Sequence, residues 1–170
     1  MSSPDASGSH HRVRPAHASD VGYIMATERL PGYDVLVASW TADEHALALA
    51  SPSVAYLVIE APPGIPAGFA ILEGLDDVHH GVKLKRIALS NPGRGLGAAF
   101  LAEILAWVFT TTSAGRLWLD VFVANERARR AYRRAGFSED GLLRQAYVLS
   151  SGERVDRVLM SILRGEWQRR

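Results

Sequence analysis

The chain has no cysteine, which excludes disulfide scaffolds, thiolate metal centres and cysteine nucleophiles. It has no surplus of either charge. Nineteen basic and 18 acidic side chains leave +1, so no broad field draws in nucleic acid or an anionic membrane. The opening residues, MSSPDASGSHHRVRP, contain no apolar core of the kind a secretory leader needs. No apolar run is long enough to cross a bilayer. A cytoplasmic enzyme or binding protein is expected, without nucleic-acid or membrane partners. The 170 residues, 48% hydrophobic with a mean hydropathy of +0.01, suit one domain with a real core.

What is present centres on residues 84–100, LKRIALSNPGRGLGAAF. Apolar residues around Ile87 and Leu89 suit a buried strand, Asn91-Pro92-Gly93 are turn formers, and Ala98 onward opens a helix. Gly93, Gly95 and Gly97 let a ligand approach the backbone, where free N–H groups and the helix dipole receive an anion. Arg94 adds a cation beside them. The hypothesis is a phosphate-bearing ligand.

Residues 1–9 read as a flexible tail and 10–170 as a single domain. His10 and His11 lack a third metal ligand nearby, and no metal is expected. A short strand at 13–15 precedes a helix capped by Ser19 or Asp20 and running to about 29. Residues 35–40 are ambiguous. Thr41 to Glu44 is a capping-box pattern opening a helix through 50. Strands are expected at 55–60, 67–73 and 82–89, then a helix from 97 to about 112 and a strand at 117–123. Asn125 caps a short helix, ERARRAYRRA, that ends at Gly136. Strands at 141–149 and 155–163 complete the order β-α-α-β-β-β-α-β-α-β-β. It contains one crossover, around the glycine loop.

Three readings of that loop differ in what else they need. A Walker A loop needs Gly-Lys-Ser/Thr, and Gly97 is followed by Ala98. A dinucleotide fingerprint fits Gly93-x-Gly95-x-x-Ala98 loosely, with Asp120 as the ribose contact. Asp120 is placed mid-strand, however, and the repeated β-α-β units of a doubly wound sheet are missing. A coenzyme A pyrophosphate site is supported by the second half of the chain. Asn125 and Tyr132, almost two turns apart, share a helix face with the small Ala128 between them.

The run RGLGAAFL, the strand before it and NERARRAYRRAGF resemble the cofactor half of the GNAT superfamily of N-acetyltransferases. The final segment, with Gly141, Arg144, Gly152, Asp156 and Met160, resembles its ribosomal-protein and polyamine acetyltransferase branch. The resemblance implies an α/β (α+β type) single-domain fold: a mixed, mostly antiparallel, splayed sheet of about seven strands with helices on both faces. It implies acetyl-CoA as co-substrate, lying between two splayed strands. The backbone of Ile87, Ala88 and Leu89 would pair with the pantetheine arm, and one of these N–H groups would hold the oxyanion. The N–H groups of Arg94, Gly95, Leu96, Gly97, Ala98 and Ala99 would hold the pyrophosphate. Asn125 and Ala128 would flank the arm, and Tyr132 would protonate the leaving thiolate.

The chain departs from the family pattern at Pro92 and at Lys83 and Lys85, where relatives carry a glutamate that serves as base. Glu73 is the expected base here, with Glu28, His79 and His80 as alternatives. Glu28, Tyr33 and Trp40 are the expected acceptor-site residues, for a protein N-terminus, a polyamine or a small-molecule amine. Direct attack is expected, since no cysteine exists to carry an acyl group and no serine-nucleophile motif occurs. The alternatives are a non-catalytic CoA-binding regulator of the same fold and a dinucleotide-binding protein. A homodimer through the C-terminal strands is possible.

Overall fold

The computed structural model describes residues 11–33, 39–93 and 95–170. The expected tail, most of the ambiguous 35–40 stretch and Arg94 lie outside the described residues. The strands are β1 (Arg12–Pro15), β2 (Val54–Glu60), β3 (Pro66–Glu73), β4 (Gly81–Leu89), β5 (Arg116–Phe122), β6 (Ser138–Val148) and β7 (Arg154–Leu163). The helices are α1 (Val21–Glu28), α2 (Ala42–Leu49), α3 (Leu96–Thr111), α4 (Glu126–Ala135) and α5 (Arg164–Trp167). They form the expected mixed fold. β6 starts three residues earlier than its sequence suggested, and α5 and a 3-10 turn at Ala18–Asp20 are additions.

The sheet runs β1-β2-β3-β4-β5-β7-β6, antiparallel throughout except between β4 and β5. Two cores lie on its two faces. On one, α3 buries Phe100, Leu101, Ile104, Leu105, Val108 and Phe109 against Leu72, Leu84, Leu117 and Met160. That spacing is the apolar stripe of an amphipathic helix, and each such side chain contributes roughly 1.5–3 kcal/mol when fully buried. On the other, Ile24 of α1 meets Tyr56, Val58, Phe69, Ile71 and Ala88. β2 and β3 are covered on both sides, which explains their near-continuous apolar runs.

Side chains outside the cores fix the ends. The Arg164 guanidinium donates to the carbonyls of Phe109, Thr112 and Ala114, placing a cation on the C-terminal carbonyls of α3. Arg14 of β1 forks onto both Asp20 oxygens at 2.7 and 2.9 Å and donates to Glu60 at 2.6 Å. Asp20, one of the two expected caps, stands at the N-cap of α1, but its carboxylate accepts from His17 N–H and Arg14 and not from α1.

β4 carries the feature that shapes the site. Ile71 pairs with Arg86 but Leu72 pairs with Leu84, so Lys85 is an extra residue, a β-bulge. Val82 and Leu84 face α3, and after the bulge Ile87 and Leu89 do. Arg86 and Ala88 therefore turn to the α1 face. Pairing with β5 is described only from Gly81↔Arg116 to Lys83↔Trp118, and beyond that register the two parallel strands part.

Two stability predictions follow from this packing. A Cβ on Gly68 would lie 2.7 Å from the Ala88 carbonyl and 2.5 Å from Leu89 Cδ2. Gly68→Ala is expected to cost about 1–3 kcal/mol in denaturant unfolding by overpacking against β4. Gly141→Ala, where the new methyl meets nothing within 4 Å, should not share that cost. The Arg14 hydrogen bond holds the Asp20 carboxyl below its usual value, and Gly64 N–H followed by Arg14 does the same for Glu60. Their stabilisation is present above the ordinary carboxylate range, about pH 4, and is lost as pH falls through the lowered values. Wild type should exceed Arg14→Met in stability most at neutral pH, with the gap closing in acid.

Candidate active site

The parting of β4 and β5 opens a cavity of about 1250 Å³. Its floor is the free edge of β4. Ser90 N–H donates to Ala67 of β3, so by antiparallel alternation Ala88 and Ser90 face β3 while Ile87 and Leu89 face the gap. The Tyr33 hydroxyl sits on that edge. It donates to the Leu89 carbonyl at 2.8 Å and accepts from Leu89 N–H at 3.3 Å. Tyr33 thus lines the cavity from the segment after α1.

One side of the cavity is built by α3 and α4. Gly95, at φ +77°, is the N-cap of α3, a left-handed conformation that favours glycine. A Cβ on Gly93 or Gly95 would meet nothing within 4 Å, so the loop's outer surface is open. Ala98 and Ala99 N–H both turn to the Gly95 carbonyl, and Leu96 N–H to Gly93. Gly95 and Gly97 N–H have no acceptor among the described residues. Asn125 Oδ1 caps α4 by accepting from Ala128 N–H at 3.1 Å, which leaves its amide N–H groups for the cavity. Ala128 and Tyr132 line the wall beyond it. The Tyr132 phenol is pushed up to about 12, chiefly by burial, with Asp120 adding and Arg157 opposing. A protonated phenol in a dry wall can donate a proton and holds that proton at neutral pH.

The other side, toward α1 and α2, is basic. Lys83 Nζ reaches Asp120 at 2.8 Å across the point where the strands part, lying over the Trp118 ring. Arg157 of β7 lies 2.8 Å from the second Asp120 oxygen and donates to the Asp120 carbonyl. Phe122 and Tyr147 hold its guanidinium at 4.8 and 5.3 Å. Arg86 donates to Glu28 at 2.6 Å and stacks on Trp40 at 4.1 Å.

Several expected site residues stand elsewhere than on the cavity. Glu28 is 1% exposed and saturated by Arg86, His45 and the Trp40 N–H, with His45 bonded in turn to the Tyr56 hydroxyl. Glu28 and Trp40 thus support Arg86 and do not line the cavity. Glu73 is paired with Lys85 at 3.1 Å, also off the cavity lining, because β3 is one strand removed from the gap. His80 contacts Ser113, and neither His79 nor His80 borders the cavity. Asp120 belongs to an ion cluster, not to a ribose site at a strand end. No group of three or more potential metal ligands occurs among the described residues. Sequence reasoning missed Arg86, Arg157, Phe122 and Tyr147. The spacing of Leu84 to Ile87, three where alternation needs two, was the available sign of the bulge that turns Arg86 inward.

The model of the "Acetyltransferase (GNAT) family" matches residues 23–137. A Bacillus subtilis (strain 168) protein named as a ribosomal N-acetyltransferase, YdaF, is 28% identical over 106 residues, 62% of this chain and 57% of that protein. The chain thus matches little more than half of that relative's length. Spermidine N-acetyltransferase from Vibrio cholerae, solved with CoA and spermine, superposes with a TM-score of 0.83 at 19% identity, covering 95% of this chain and 99% of that one. A dodecameric structure of the V. cholerae enzyme gives 0.80 at 20% identity, covering 94% and 97%. At these identities the likeness is one of fold.

Asn125 should separate structure from ligand contact. Asn125→Ala loses a cap, about 1 kcal/mol in thermal or denaturant unfolding, whereas Asn125→Asp keeps one and should unfold like wild type. Both lack the amide N–H, so calorimetry should find weaker binding of the cavity's ligand in each.

Proposed function

This chain belongs to the GNAT acetyltransferase family, and on that premise we propose that it transfers the acetyl group of acetyl-CoA to a primary amine by direct attack on the thioester. The observation that carries this reading is the gap between β4 and β5, with a glycine-capped helix at one end and a buried phenol at the other. The pyrophosphate meets the loop formed by Gly93, Arg94, Gly95 and Gly97 at the N-terminus of α3. Ile87 and Leu89 offer their outward N–H and C=O groups to the pantetheine amides as a neighbouring strand would, after Tyr33 releases Leu89. Asn125 and Ala128 flank the arm. As the amine adds to the carbonyl carbon, a β4 N–H stabilises the oxyanion, and Tyr132 gives its proton to the departing sulfur.

The attacking amine must be neutral, and an alkylammonium ordinarily titrates near ~10. The cationic side of the cavity favours the neutral form, as like charges do. Water relays the lost proton, because Glu73 is held by Lys85 outside the cavity and Glu28 is sealed by its partners. Residues 10–170 serve as one catalytic domain, placed in the cytoplasm with its cofactor. Self-association through the edge strand β6 belongs to the same reading, since Leu142 and Val148 are at least half exposed there.

Titration calorimetry with acetyl-CoA, and thiol release on adding amines, tests the reading. Acetyl-CoA binding with amine-dependent thiol release is expected, and binding without turnover on any amine would leave only a CoA-binding protein. Tyr132→Phe should lower kcat by roughly 100-fold or more while the affinity for acetyl-CoA stays within about twofold. Unchanged turnover would remove Tyr132 from the mechanism.

A further inference from the structure

The acceptor side of the cavity has a charge balance that constrains what enters it. Among the described residues that line it are four cations, Lys83, Lys85, Arg86 and Arg157, and one carboxylate, Asp120, with Glu28 and Glu73 standing behind that wall. Each carboxylate is already engaged. Glu73 holds Lys85, and Glu28 holds Arg86 while also taking Trp40 N–H and His45. Asp120 is shared between Lys83 and Arg157. The described lining is therefore net cationic. A polyamine would bring further positive charge to a wall that, among the described residues, has no uncommitted carboxylate to receive it.

Two guanidiniums on this wall also have donors to spare. Arg86 lines the cavity, is 6% exposed, and its Nε has no hydrogen-bond partner. Arg157 Nε lies against an Asp120 oxygen at 2.8 Å and its Nη2 donates to the Asp120 carbonyl, which leaves Nη1 without an acceptor among the described residues. A buried donor without an acceptor is costly, and a guanidinium is matched by a planar anion taking two parallel N–H bonds. Phe122 and Tyr147, packed edge to face on each other, both contact the Arg157 guanidinium and restrict where it can lie. Tyr33, Phe122 and Tyr147 give the same compartment an aromatic lining that suits an apolar side chain.

We propose that the acceptor is an amine with a carboxylate beside it, a free α-amino acid, whose carboxylate is held by Arg157 and Arg86. This rests on the acetyl-transfer reading above and narrows its acceptor. Its carboxylate offsets part of the positive charge of that lining. It also pins the adjacent nitrogen at the throat, where Tyr132 faces the leaving sulfur. In the transfer, the nitrogen forms the amide bond as the carbon–sulfur bond breaks. The nitrogen's proton leaves to water, the thiolate takes the Tyr132 proton, and water returns a proton to the phenolate.

The test measures kcat/KM by thiol release for the protein amino acids, their amides and spermidine. The best amino acid should exceed its own amide by about tenfold or more, mainly through KM, and should exceed spermidine by at least as much. Arg157→Gln should bring the acid-to-amide ratio close to one, and Arg157→Lys should restore part of it. The wild-type ratio decides the matter even if the variants fold poorly. An amide as good as its acid, or spermidine preferred, would overturn the acceptor assignment and leave acetyl transfer standing. A peptide amide with aspartate second, used better than any free amino acid, would keep the anion but overturn the amino-acid assignment. No amine used at all, with acetyl-CoA bound, would overturn both readings.

Discussion

One extra residue in β4 governs this molecule. Lys85 has no partner of its own on β3, so the strand bends and its alternation reverses there. On one side of the bulge β4 pairs with β5, and on the other it leaves β5 and presents a bare edge. The same residue sends Arg86 to the α1 face, where Glu28, His45 and Trp40 receive it. An opening between strands would ordinarily expose unsatisfied backbone to solvent or to a neighbouring chain. Here it lies between two layers of helices, with its outward amides directed into a lined cavity.

The sheet separates two kinds of chemistry. On the α3 and α4 side the residues are small or backbone-like: glycines, Ala98, Ala128 and the Asn125 amide. They suit a long, polar, anionic ligand that is recognised mainly through peptide groups. On the α1 and α2 side the residues are charged and aromatic, and their charges are shared out among neighbours. Tyr132 belongs to the first side, yet its phenol feels Asp120 and Arg157 of the second. It stands where a group passing between the two compartments has to go.

The first side was far more legible in the sequence than the second, for physical reasons. A glycine at positive φ, an asparagine opening a helix and a glycine closing it are local requirements, and the chain states them locally at Gly95, Asn125 and Gly136. Element order, the crossover and the capping box at Thr41 were equally readable. The acceptor wall depends on contacts between residues distant in the chain. Glu28 looked like a free carboxylate in a helix, and only the fold shows that Arg86, 58 positions on, consumes it. Asp120 and Arg157 meet because β7 inserts beside β5. Glu73 looked close to the gap because it ends a strand, but the register sets β4 between them.

The Tyr33 hydroxyl occupies the free edge of β4 at Leu89. It satisfies the same peptide unit that, in the proposed reaction, pairs with the cofactor arm. Tyrosine and cofactor are therefore rivals for one pair of hydrogen bonds, and the measured affinity is reduced by the fraction of molecules in which the tyrosine holds them. A single side chain thus sets a threshold that the cofactor arm has to pass before β4 is free to pair with it.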